Sequence, residues 1–318
     1  ICCYVCMSIS LNLTVGILGE LSLGHAGFMS VGAFSGIIAA MSLQSAVPND
    51  LVRMIVALVV GAFFAAIVGF IVGIPVLRLR GDYLAIVTLA FGEIIKDLIN
   101  CLLVGWDENG LHIALNVDGT KSMSSLGLSE NGIEIIKGAQ GATGNARIAT
   151  FAMGFALVMI TLVVVLNLVR SRTGRAIMAI RDNRIAAESV GINVTKYKYL
   201  ATCIGSMIAG LGGLYYVMDY ANGVWSNNAF GDRGWLAIAL VIFTIWRPNV
   251  SILASILFGG LYILNIYLPT GAQMAVKELY KMLPYVITLI VLIIVSLRKK
   301  REDQPPASLG LSYFREER

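Results

Sequence analysis

The sequence predicts an all-α fold: a polytopic bundle of membrane helices, with about eight transmembrane helices. Three observations predict it. Hydrophobic residues make up 57% of the 318 and charged residues 14%, against about 25% charged in a soluble globular chain. The apolar residues fall in uncharged runs long enough to cross a bilayer. The basic residues between those runs sort to one side. The roughly 181 apolar residues implied by 57% of 318 fill about eight crossings at roughly 20 residues each. So few charges exclude a water-soluble surface, the apolar content excludes disorder, and 5 cysteines exclude a disulfide scaffold.

In chain order, residues 1–19 carry no charge. The chain begins at Ile1 inside that run, which reads as a fragment lacking a leading helix, and no cleavable signal peptide is visible. Residues 21–49 hold His25 as their only ionisable group, and 54–77 hold none. Residues 83–104 are apolar at both ends but carry Glu93, Lys96 and Asp97 in the middle. Residues 105–147 form a long polar, Gly-rich connection with short apolar patches. The uncharged runs 148–169 and 199–218 flank a basic connection, 170–198. Arg247 and Pro248 end the short run 234–246, a further run spans 249–268, and the last is 282–297. Backbone amides find no partner in lipid, so these runs are expected to be helices. No alternation recurs at the spacing of a membrane barrel. Residues 1–297 thus read as one transmembrane domain. The tail, 298–318, holds Pro305-Pro306 and mixed charge and is expected to lack a fixed fold.

Sixteen of the 24 Lys and Arg residues lie after 54–77, between 148–169 and 199–218, at Arg247, or in the tail. If crossings alternate, all sixteen fall on one side, which the positive-inside rule makes cytoplasmic. The C-terminus is then inside, the start of this chain outside, 105–147 external and 170–198 cytoplasmic. The net charge of +5 therefore reflects topology, and no nucleic-acid partner is expected. Gly32/Gly36, Gly69/Gly73, Ser206/Gly210 and Ala209/Gly213 have the small-xxx-small spacing that lets helices approach closely in a bilayer.

Little in the sequence suggests catalysis. No phosphate-binding glycine loop, dinucleotide fingerprint, HExxH or nucleophile triad occurs. Two histidines, His25 and His112, offer little for a metal site, and no cofactor is expected. Cys2, Cys3, Cys6, Cys101 and Cys203 form no paired CxxC and have no nearby His; they read as small apolar side chains. The energy for any transport must then come from an ion gradient or another chain.

Residues 175–190 read as a short amphipathic helix, with Ala176, Ile177 and Ile180 on one face. Arg184 and Glu188 sit at i,i+4 and can pair, and Gly191 suits a C-terminal cap. The helix is either a solvated face or a docking element for a cytoplasmic partner. Ser22, Gly24, His25 and Gly27 read either as an interfacial turn or as a broken helix lining a substrate route. Glu93 falls about 16 Å into a helix starting near Asp82. It reads as half of an i,i+3 pair with Lys96, or as part of a polar stretch that faces the route or a partner permease. Thr88, five residues earlier, is a further route candidate on a different face.

Leu21–Phe28 (LSLGHAGF), Arg78–Ile95 (RLRGDYLAIVTLAFGEII) and Gly174–Asn193 (GRAIMAIRDNRIAAESVGIN) resemble the permease subunit of branched-chain amino-acid ABC importers, the LivM-like family. The resemblance covers roughly residues 8–218. It implies a second, homologous permease subunit, two cytoplasmic ATP-binding-cassette ATPases and an extracytoplasmic solute-binding protein, in a bacterial cytoplasmic membrane. It also implies that Gly174, Arg175, Arg181, Arg184, Glu188 and Gly191 belong to the loop that contacts the ATPase. The last third differs. Gly231–Leu240, Trp246–Asn249, Met282–Ile290 and Pro306–Arg318 resemble the nucleoside (simple-sugar) permeases of the same superfamily. The expected function is a non-enzymatic permease for branched-chain or other apolar amino acids, with nucleosides as the alternative substrate. An ion-coupled secondary transporter, for which only Glu20, Glu93 and Asp97 offer a relay, and a structural scaffold are the rivals.

Overall fold

The structure is a computed structural model. It describes the chain except for residues 45, 80, 109, 117–122, 130–131, 143–146, 220, 222, 226–232, 265–273, 299–305, 307–308 and 310–318. Most of the expected tail therefore lies outside the described residues, as does the start of the Gly231–Leu240 motif.

Helix α1 (Cys2–Asn12) runs into a π-helical turn, Leu13–Ile17, and the chain is non-helical over 18–24. Then follow α2 (His25–Ser42), α3 (Asp50–Val76) and α4 (Asp82–Asn100). Three strands come next, β1 (Leu102–Asp107), β2 (Gly110–Leu115) and β3 (Ile133–Lys137). After them come α5 (Phe151–Arg170), the short α6 (Arg172–Asp182) and α7 (Arg184–Ser189), and the long α8 (Val194–Asp219). Helices α9 (Arg233–Phe243), α10 (Ser251–Leu264) and α11 (Met274–Arg298) complete the described chain. Local chemistry sets several boundaries. Asn49 accepts from the Leu51 amide at 3.0 Å to start α3, and Thr150, Ser171 and Asn183 cap α5, α6 and α7. Each cap satisfies an amide that the first helical turn leaves without a partner.

The core is the meeting of α2, α3 and α8, and small residues make it. A Cβ on Gly32 would run into the Gly210 backbone, one on Gly61 would come within 2.6 Å of the Gly32 carbonyl oxygen, and one on Gly69 would strike Ser206. Gly32, Gly69, Ser206 and Gly210 belong to the small-xxx-small pairs noted in the sequence, Gly61 joins them, and all serve helix packing. Helix α1 is buried along nearly its whole length, its Cys2, Cys3 and Cys6 included. By contrast α3 turns Ile55, Val59, Phe63, Phe70 and Ile74 outwards, and α5 turns Phe155, Ile160 and Val164. Water would penalise so large an apolar surface, whereas lipid tails accept it.

Four helices among the described residues, α2, α3, α5 and α8, are long and apolar enough to cross a membrane. The apolar stretches Cys2–Ile17 and Met282–Arg298 are shorter, and α9 and α10 meet at a 112° bend. The chain is a multi-pass helical membrane protein, with fewer unambiguous spans than the eight expected. The physical reasons are visible: Glu93, Lys96 and Asp97 make α4 too polar to pass on composition, and the Arg247–Pro248 break divides the penultimate run.

The all-α expectation needs one correction. The connection after α4 contains a three-stranded antiparallel sheet in the order β2-β1-β3. Asp107 pairs with Gly110, so β1 and β2 are joined by two residues, and Gly110 takes φ +114°. The apolar run expected to continue to 104 leaves the helix at Asn100 and enters β1. Ile135–Ile136, within the connection read as loop, instead form a strand beside Leu103–Val104, and all four side chains are buried. A second difference concerns 175–190: it is two helices, broken where the Asn183 side chain caps Ala186.

The helix ends sort into two layers. At one end, Leu18, Glu20, Val76, Leu77, Leu84 and Thr202 share a cleft, and Arg181 reaches Gly16. At the other, Met41, Arg53, Ile148 and Met218 meet, Arg147 pairs with Asp219 at 2.6 Å, and Ala142 bridges to Trp225. Arg181 in the basic 170–198 connection therefore lies at the end opposite Arg53 and Arg147.

Candidate functional site

The candidate site grows from the break between α1 and α2. The Leu23 amide donates to Thr88 Oγ1 at 3.0 Å, and Thr88 donates to the Ala85 carbonyl at 2.8 Å. Gly24 lies so close to α4 that a Cβ there would overlap the Thr88 carbonyl. One on Gly27 would stand 3.0 Å from the Gly92 Cα. The absence of side chains at Gly24 and Gly27 thus lets an irregular segment lie directly on α4. Ser22 Oγ and His25 Nδ1 are 3.1 Å apart, and His25, 3% exposed, stacks edge-on against Phe28 at 5.7 Å. Its Nε2 has no hydrogen-bond partner and points towards Gly205 on α8.

Of the six residues expected along a route, Ser22, Gly24, His25, Gly27 and Thr88 come together here, buried in protein. Glu93 does not. It lies on the outward face of α4 with Ile86, Ile94 and Leu98, paired with Lys96. The i,i+3 pairing is present, and the orientation towards this cluster is not: a helix that turns Thr88 inwards carries Glu93 about 140° around its axis.

Beside the cluster, the partly buried Glu20 forms an ion pair with the buried Lys198 of α8. Thr14, Glu20, Ser22, Thr88 and Thr202 put polar groups on an otherwise apolar cleft of about 20 Å³ between α3, α4 and α8. That volume admits about one water molecule.

The second element is the α6–α7 segment at the same end. Ala176, Ile177 and Ile180 are buried as their spacing predicts. Gly174 makes the tight α5–α6 corner, where a Cβ would strike the Leu168 carbonyl. Gly191 takes φ +83° and donates to the Glu188 carbonyl at 3.0 Å, closing α7. Arg184 and Glu188 pair at 3.0 Å on the exposed side, where Arg175 also lies. Arg181 pairs with Asp182 at 2.9 Å and donates to the Gly16 carbonyl at 3.4 Å. Two features are visible only in the structure. Ile185 and Val190 are 80% and 74% exposed, apolar side chains standing out from a polar segment. The Glu20–Lys198 pair joins residues 178 apart, for which the sequence holds no signal beyond a lone Glu between two uncharged runs.

The described residues form a helical membrane protein with a glycine-lined break in its core and an amphipathic element at one end. The family model described as branched-chain amino acid transport system / permease component matches residues 1–292, and the chain belongs to that family. It is 29% identical over 262 residues to the high-affinity branched-chain amino acid transport system permease protein LivM of Escherichia coli, and 28% identical over 262 residues to LivM of Salmonella typhimurium. Each alignment covers 80% of this chain and 59% of the relative, so the chain spans less than two thirds of those permeases. It is also 25% identical over 278 residues to the nucleoside ABC transporter permease protein NupC of Lactococcus lactis, covering 86% of this chain and 83% of that one. No solved structure matches the chain.

Proposed function

We propose that the chain is the permease subunit of an ABC importer in a bacterial cytoplasmic membrane. It works with a second homologous permease, two cytoplasmic ATPases and an extracytoplasmic solute-binding protein. The family match over residues 1–292 carries this reading. The α6–α7 segment docks on the ATPase: Ala176, Ile177 and Ile180 fix it to the bundle, while Arg175, Arg184, Glu188, Ile185 and Val190 remain on its open side. Gly174 and Gly191 shape its two ends. Residues 170–198 are then cytoplasmic, and the sheet-bearing 105–147 connection is external.

In this reading the chain has eight membrane units: α1 with its π turn, α2, α3, α4, α5, α8, the bent α9–α10 pair, and α11. Helices α9 and α10 have 11 and 14 residues. At 1.5 Å per residue each is shorter than the roughly 30 Å hydrocarbon core, which supports a re-entrant pair. The break at Ser22–Gly27 with Thr88 lies beside the substrate route and moves as the permease opens.

The substrate is a branched-chain or other apolar amino acid, supported by the family description and the LivM relatives. A nucleoside is the second reading, favoured by the fuller coverage of NupC. Competition uptake of labelled leucine against labelled uridine, in cells carrying the whole operon, separates them. Leucine uptake that excess uridine leaves untouched supports the amino-acid reading; uridine uptake indifferent to leucine overturns it.

A further inference from the structure

Glu20 and Lys198 pair with side chains only 17% and 7% exposed. Lys198 lies near the start of α8, a few residues beyond the α7 cap at Gly191. Glu20 lies in the non-helical stretch between α1 and α2. Two charges withdrawn from water hold each other firmly, because parting them leaves an uncompensated buried charge. A second contact runs in parallel: Arg181, at the end of α6, donates to the carbonyl of Gly16 in the π turn. Both ends of the 181–198 segment therefore grip the same short stretch, at residues 16 and 20. That stretch continues directly into the Leu23–Thr88 and Ser22–His25 contacts. The chain of contacts runs from α6 through 16–20 into α2 and α4 without a gap.

We propose that the Glu20–Lys198 ion pair is a tether: it stays closed while the α6–α7 segment moves, and drags the 18–24 stretch, and with it the start of α2 against α4. Glu20 and Lys198 are positioning residues that touch neither substrate nor nucleotide. The proposal rests on the reading of α6–α7 as the ATPase-docking element and names the path inwards from it. A tether differs from a gate in one respect. What matters is the attraction, whichever residue supplies each sign.

The test uses the complete complex, reconstituted in proteoliposomes with its ATPases and binding protein, and measures ATP hydrolysis and substrate uptake on the same vesicles. Glu20→Gln and Lys198→Met singly are expected to keep the ATPases bound and hydrolysing, while uptake per ATP falls about tenfold, the scale of an ordinary coupling energy. The reversed pair, Glu20→Lys with Lys198→Glu, is expected to regain most of that loss. Single variants with wild-type uptake per ATP overturn the tether. So does a reversed pair that assembles but couples no better than the singles, or single variants that shed the ATPase. If the singles do not fold, the reversed pair alone decides: recovered coupling supports the tether, and failure overturns it. Failure of the underlying reading looks different, because the unmodified complex then shows no ATP-dependent uptake at all.

Discussion

Replacing Gly24 with alanine tests the close packing of the irregular segment on α4. The backbone at Gly24 has φ −89°, which alanine adopts freely, so any cost is steric. The new methyl would overlap the Thr88 carbonyl oxygen and stand 2.9 Å from the Thr88 carbonyl carbon. Restoring ordinary contact moves the start of α2 from α4 by roughly 1 Å. The Leu23 amide, 3.0 Å from Thr88 Oγ1, then passes out of hydrogen-bond range. Overpacking costs about 1–3 kcal/mol and the orphaned amide about 1–3 kcal/mol, so the loss is about 2–6 kcal/mol. Gly92→Ala is the control on the facing helix. Its methyl would meet the Gly24 Cα at 3.4 Å, an ordinary contact, and alanine favours the helix by up to about 1 kcal/mol. Thermal unfolding of the purified complex, followed by the loss of its size-exclusion peak on heating, reads both variants. Gly24→Ala is expected to unfold well below wild type and Gly92→Ala at or above it. Equal stability of all three, or equal damage from both substitutions, refutes the reasoning.

Three further outcomes follow from the same contacts. Gly32→Val, aimed at the Gly210 backbone where α2 crosses α8, is expected to cost about 3 kcal/mol or more and to abolish a monodisperse peak on size exclusion. Arg181→Glu removes the hydrogen bond to Gly16 and reverses a charge on the docking element. Uptake is expected to fall at least about fivefold, while membrane insertion, judged by fractionation, stays intact. Ile185 and Val190 each contribute about 1.5–3 kcal/mol if the ATPase buries them. Ile185→Ser with Val190→Ser is therefore expected to weaken ATPase co-purification about tenfold or more without changing the melting temperature of the permease alone.

The helical frame was legible because lipid forces one solution onto long uncharged runs, and glycine spacing such as Gly69/Gly73 has a single common use there. The amphipathic face of Ala176, Ile177 and Ile180 was legible for the same periodic reason. The sheet was not, since Leu102–Val104 reads equally well as the end of a helix. Its pairing with Ile133–Lys137 is a contact between distant segments, although the Asn109-Gly110 step is a hairpin signal. The cluster of Ser22, Gly24, His25 and Gly27 was legible as a local oddity, but its partner Thr88 is fixed only by tertiary packing. Glu93 lies away from that cluster because depth along a helix says nothing of which face it occupies; its i,i+3 pairing with Lys96, a local contact, was legible. The Glu20–Lys198 pair lay beyond the sequence altogether, being a contact between two single charges in otherwise unrelated segments.

The central claim, that this chain is a permease driven by a partner ATPase docked at residues 172–193, is tested most directly by uptake into proteoliposomes. These hold the assembled complex, with binding protein and labelled substrate on the outside and ATP within. Uptake is expected to need ATP, stop with vanadate and survive an uncoupler. Uptake that survives vanadate and collapses with the uncoupler would contradict it, and would make Glu20, Glu93 and Asp97 candidates for an ion-coupled relay instead.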